Sequence, residues 1–170
     1  MDLYELTQRL MGMRAPVWDR HANPWSVYTR VPLLPLFALA IWSRVWIGWW
    51  AALPVLLLVF WTWLNPRLFP PPRSIENWAS KGVLGERLWL NRKRVSVPGA
   101  HRRMAWGFTV LALLGTALLV WGLYALRPWP TLLGVTLAVC AKLLFVDRMA
   151  RLFEDMRDMS GQARPKQDKK

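Results

Sequence analysis

The residues with chemistry to offer fall into three strings. The first is His21-Ala22-Asn23-Pro24-Trp25-Ser26. Its imidazole could take a proton or ligate a metal, and Asn-Pro favours a turn. A structural reading stands beside that one: Ser26 caps the next helix and Trp25 anchors it at a bilayer interface. The second string is Asn65-Pro66-Arg67. Asn65 could bond carbonyls freed in a last helical turn, with Pro66 as terminator. Alternatively, Asn23 and Asn65 lie at similar depth and build one polar pocket. The third runs from Asp147 to Met156. Asp147, Arg151, Glu154, Asp155 and Asp158 share one helical face there. Carboxylates so spaced could hold a divalent cation or a cationic partner. They could equally form an i,i+4 ladder, Asp147 with Arg151 and Arg151 with Asp155.

Two further positions bear on these strings. Lys142 either snorkels to an interface or pairs inward with Asp147 or Glu86. Arg67 or Arg148 is placed to hold an anionic headgroup. The candidate binding set is therefore His21, Asn23, Trp25, Asn65, Arg67, Glu86, Asp147, Arg148, Glu154 and Asp155.

Absences narrow the chemistry. The chain has two histidines and one cysteine. It carries no His-x-x-x-His pair, Gly-x-Ser-x-Gly elbow, phosphate loop or Cys-x-x-Cys. No catalytic residue, metal set or cofactor is assigned. Cys140 cannot form a disulfide within the chain and reads as a small buried helix residue. No ladder of ionisable residues crosses an apolar block, which weighs against an ion pump or voltage sensor.

The elements that must position these residues come from charge segregation. Residues 31–64 and 104–146 hold almost no ionised side chains, whereas the stretches around them hold nearly all of the 23 Lys and Arg. Near-continuous apolar runs are a membrane signature. Ala105–Leu126 makes a helix of about 33 Å, Arg127-Pro128-Trp129-Pro130 turns the chain, and Thr131–Val146 returns it. Residues 31–64 would be about 51 Å as one helix, too long for a core of roughly 30 Å. Cutting near Arg44–Gly48 gives two spans, each slightly short.

The expected fold is all-α: an integral membrane protein with four transmembrane helices in two hairpins and amphipathic cytoplasmic helices. The spans are about 31–47, 49–64, 105–126 and 131–147, the last continuing as a helix to about 158. Residues 65–103 form a cytoplasmic segment and 159–170 a disordered basic tail. Residues 2–13 read as an in-plane amphipathic helix. Pro70-Pro71-Pro72 stops the second span, and Ser74 caps a short helix that ends at Gly82. A second helix, 83–90, follows.

Basic residues crowd 65–103, while each hairpin turn has one, Arg44 and Arg127. The positive-inside rule then places both termini in the cytoplasm of a cell-membrane protein. The net charge of +13 has the same origin and needs no nucleic acid. The 13 Trp suit two interface belts. Arg92-Lys93-Arg94 would be drawn to anionic headgroups. Membrane lipids are the expected partners, together with a membrane protein or a second copy of this chain.

The strings HANPWSVYTR (21–30), NPR (65–67), NWASKGVLGE (77–86) and DRMARLFEDM (147–156) carry a resemblance. They resemble an uncharacterised family of small prokaryotic membrane proteins, a domain of unknown function, over most of residues 17–156. The resemblance implies an integral membrane protein and brings no activity, ligand or site residue with it. Function is accordingly expected to be non-catalytic binding of a partner or lipid. An enzyme or metal-binding protein acting on a lipid-like substrate is the alternative, and a small-solute transporter or channel a second one.

Overall fold

The computed structural model describes residues 15–93 and 95–162. The expected in-plane helix 2–13 lies outside them, as does most of the expected tail. The described residues form helices and turns, with no strand among them: α1 Ala15–His21, α2 Pro24–Tyr28, α3 Leu33–Trp42, α4 Arg44–Ile47, a 3-10 turn Gly48–Ala51, α5 Ala52–Leu68, α6 Trp78–Leu90, α7 Gly99–Tyr124 and α8 Pro128–Gln162.

Three helical stretches are long and apolar enough to cross a membrane: Pro24–Leu68, Gly99–Tyr124 and Pro128–Ser160. That is three rather than the four spans expected. The difference lies in the first stretch, which is folded back on itself. Gly48 adopts φ 57°, a left-handed backbone that side chains disfavour. Hydrogen bonds from Ser26 and Arg30 to Asn65 and Thr62 join the two limbs. One limb is α3, with 10 residues. At 1.5 Å per residue it reaches only about 15 Å, half of a hydrocarbon core.

α7 and α8 make the second hairpin. Leu126 takes φ 52°, and the Arg127 amide bonds back to the Gly122 carbonyl at 2.9 Å. This closes α7 with a left-handed cap, after which Pro128 begins α8 at a position that needs no amide hydrogen. The two helices touch through glycine. A Cβ on Gly115 would fall 2.7 Å from the Ala138 nitrogen, and one on Gly122 would fall 2.6 Å from the Thr131 nitrogen. Small residues allow this approach and the dispersion contacts it brings.

α6 lies on the other side of α8. Its cap is Asn77, whose Oδ1 accepts from the Ser80 amide at 2.8 Å. The helix continues through Gly82 to Leu90, so neither the Ser74 cap nor the stop at Gly82 is what forms. Gly82 and Gly85 are instead contact positions. A Cβ on Gly82 would lie 2.6 Å from the Val146 side chain, and one on Gly85 would overlap the Met149 carbonyl. Trp89, Ala105, Phe145, Met149 and Leu152 form the core these three helices share. Only α3 reaches the second hairpin from the first, through Ala38 beside Leu119 and Leu123. At the turns, the Arg44 guanidinium donates to the Leu123 carbonyl. α5 leaves Leu53, Leu56, Leu57, Phe60 and Trp63 exposed, and Cys140 on α8 is exposed rather than buried.

Candidate functional site

The polar residues gather at the end of the molecule opposite the turns, where α1, α2 and the end of α5 meet. The reason begins with Pro66. It lies inside α5 rather than ending it, since the helix runs on to Leu68. A proline has no amide hydrogen, so the carbonyl four residues back loses its partner. That carbonyl belongs to Thr62, and Arg30 Nη2 donates to it at 2.9 Å. Asn65, wholly buried, turns away from the backbone and bonds across the hairpin.

A single chain of hydrogen bonds follows. Arg30 Nη1 lies 3.3 Å from His21 Nε2, and His21 Nδ1 lies 3.1 Å from Ser26 Oγ. The Ser26 hydroxyl donates to Asn65 Oδ1 at 2.8 Å. Asn65 Nδ2 donates to Thr29 Oγ1 at 2.8 Å, and that hydroxyl donates to the Trp25 carbonyl at 2.6 Å. Arginine has only donors. His21 Nε2 must therefore be the acceptor, and the imidazole is neutral with its hydrogen on Nδ1. Every link then points the same way, from the guanidinium to the carbonyl. The imidazole is pushed down to about 3, first by burial and then by Arg30, with Lys142 adding and Glu86 opposing.

Around this chain the segment is stitched in place. Asn23 caps α2 through Oδ1 to the Trp25 amide at 3.0 Å, and its Nδ2 donates to the Pro70 carbonyl at 2.9 Å. Ser80 Oγ donates to the Ala22 carbonyl at 2.6 Å, tying the same turn to α6.

The other sequence candidates divide into separate groups. Glu86 pairs with Lys142 at 3.2 Å and acts on His21 by its charge. Burial works against the Glu86 charge, yet Lys142, His21 and Arg30 hold its carboxyl below the usual value. Asp147 does not join His21. It accepts from Trp78 Nε1 at 3.2 Å and from Arg151 at 3.0 Å. Glu154 meets Lys81 at 2.7 Å, and Lys81 also reaches Glu76. Asp155 bonds His101 at 2.8 Å, so the second rung of the expected ladder, to Arg151, is replaced. Arg148 Nε is buried without a hydrogen-bond partner. Arg67 donates to the Trp63 carbonyl and lies 4.2 Å over its ring. Trp25 is 67% exposed and lends the cluster only its backbone.

Arg30, Thr29 and Thr62 are the members that sequence reasoning missed. The signal was Pro66 itself, which frees one carbonyl and so calls for a donor. Among the described residues, no three of His, Cys, Asp and Glu lie close enough together to hold a metal ion. The cluster can fix a tautomer and lock a turn. It offers no open nucleophile beside a base.

Compared with known proteins, residues 5–169 match a family described as a family of unknown function, DUF6653. No curated protein and no solved structure gives a significant match.

Proposed function

The chain belongs to the DUF6653 family of unknown function, and from that premise we propose that it is a multi-pass membrane protein that binds lipid or a protein partner without catalysis. One observation carries this reading. The buried polar chain from Arg30 to the Trp25 carbonyl is closed, with each donor matched to an acceptor. Catalytic acids, bases and nucleophiles need a free lone pair or proton facing substrate. Here those groups are spent on one another, as in a lock that shapes the polar end.

The same end carries the basic residues of 65–103, and the two turns lie together at the other, joined by Arg44 and Leu123. Positive-inside asymmetry then puts the polar end and both termini in the cytoplasm. Trp46, Trp49, Trp50 and Trp129, all strongly exposed, suit an interface belt at the turns. The basic cytoplasmic surface would meet anionic headgroups, a second copy or another membrane protein.

Reporter fusions after Lys170 and within the 44–48 turn test the topology, and the reading requires opposite sides. Lipid mass spectrometry and metal analysis of detergent-purified protein test the ligand class. A stoichiometric metal, or turnover of an added lipid, would overturn the non-catalytic reading.

A further inference from the structure

We infer that the C-terminal end of α5 is a docking site for the phosphate headgroup of an anionic lipid, gripped by Arg20, Arg30 and Arg67. This rests on the lipid-binding reading above and narrows it to one place. Three guanidinium groups converge on one helix end. Arg20 Nη1 donates to the Arg67 carbonyl at 3.2 Å, Arg30 Nη2 to the Thr62 carbonyl at 2.9 Å, and Arg67 to the Trp63 carbonyl. A helix C-terminus offers only about half a negative charge. Most of the positive charge brought there is left over.

The nearby acids are already committed. Asp19, next to Arg20 in the chain, is held by Arg87 at 3.3 Å. Glu86 is held by Lys142 at 3.2 Å. Among the described residues no carboxylate lies within 4.0 Å of Arg20 or Arg30. Each guanidinium has five N–H donors in a planar fork that matches phosphate. Arg20 is exposed and spends one nitrogen on a carbonyl.

The setting selects a lipid over a free anion. Arg67 stacks on Trp63, a ring 48% exposed, and tryptophan settles at headgroup level. Directly along α5 from that ring, Val59, Phe60 and Leu56 present an uncovered apolar strip. A headgroup on the arginines would lay its acyl chains on that strip, whereas free phosphate would leave it bare.

The test is a titration of the full chain in neutral detergent, read by native mass spectrometry. Phosphatidylglycerol, phosphatidylcholine with the same acyl chains, and glycerol phosphate are compared. The wild type should prefer phosphatidylglycerol and ignore glycerol phosphate. Arg20→Gln should weaken phosphatidylglycerol about fivefold and leave phosphatidylcholine unchanged, and adding Arg67→Gln should weaken it further. Arg103→Gln, exposed at the start of α7, should change nothing. If Arg103→Gln weakens binding as much as Arg20→Gln, the attraction is diffuse: this site fails and the lipid-binding reading stands. If Arg20→Gln lowers only the melting temperature, the arginines merely cap α5 and the site fails. A wild type that prefers no lipid overturns both.

Discussion

The two hairpins are held together by opposite means. In the second, α7 and α8 meet backbone to backbone through Gly115, Gly122 and Gly134, and α6 joins them through Gly82 and Gly85. In the first, α3 and α5 have no such seam. Their closure depends on Ser26, Thr29, Arg30, Thr62 and Asn65 at one end and on Gly48 at the other. Helices in an apolar medium gain little from burying apolar surface against each other. Close packing is one source of cohesion, and hydrogen bonds hidden from competing solvent are another. This chain uses each once, and the polar solution is the one that leaves functional-looking residues behind.

Substitutions should separate the two. The largest effect is expected at Gly85→Val, where the side chain would overlap the Met149 backbone. Overpacking against a rigid carbonyl should cost about 3 kcal/mol or more, read as a fall in thermal midpoint in detergent. Gly107→Ala, on the open side of α7, should be neutral or slightly stabilising by the same measurement. If both behave alike, glycine placement is not what holds the second hairpin.

Acid should act on the first hairpin. His21 titrates near 6.5 when unfolded and near 3 when folded, so the unfolded chain binds its proton first as pH falls. The folded state is then fully favoured above about pH 6.5 and loses stability as pH drops toward 3. Between pH 6.5 and 4.5 the loss should be about 2–3 kcal/mol. In His21→Gln this part of the slope should flatten. A wild-type stability that is level across that range would break the assignment of a neutral, buried imidazole.

Asn65→Leu should cost about 2 kcal/mol, because the Ser26 and Thr29 hydroxyls each lose a buried partner. Protease sensitivity should then rise in residues 24–68 before it rises in α7 or α8. The smallest effect is expected at Leu126→Gly. Relieving φ 52° should stabilise the second hairpin by about 1 kcal/mol.

Much of this was legible in the chain. The apolar blocks gave all-helical structure and two turn regions, and the Asn-Pro strings marked the polar end. His21, Asn23 and Asn65 do meet there. The misreadings share a cause: a partner distant in sequence. Pro66 looked like a terminator because the donor that rescues its freed carbonyl is Arg30. Gly82 looked like a cap because the helix it admits is α8. Asp147 looked like a member of the His21 cluster because depth was legible and azimuth was not. It faces Trp78 instead.

The bond from Arg44 to the Leu123 carbonyl also has a meaning in time. The two residues are 79 positions apart. A ribosome adding about 5–20 residues per second needs roughly 4–16 s to make that stretch. For that interval the first hairpin exists with its turn cation lacking the acceptor it will finally use. The order of manufacture therefore runs against the order of completion: the half of the molecule made first is the half finished last.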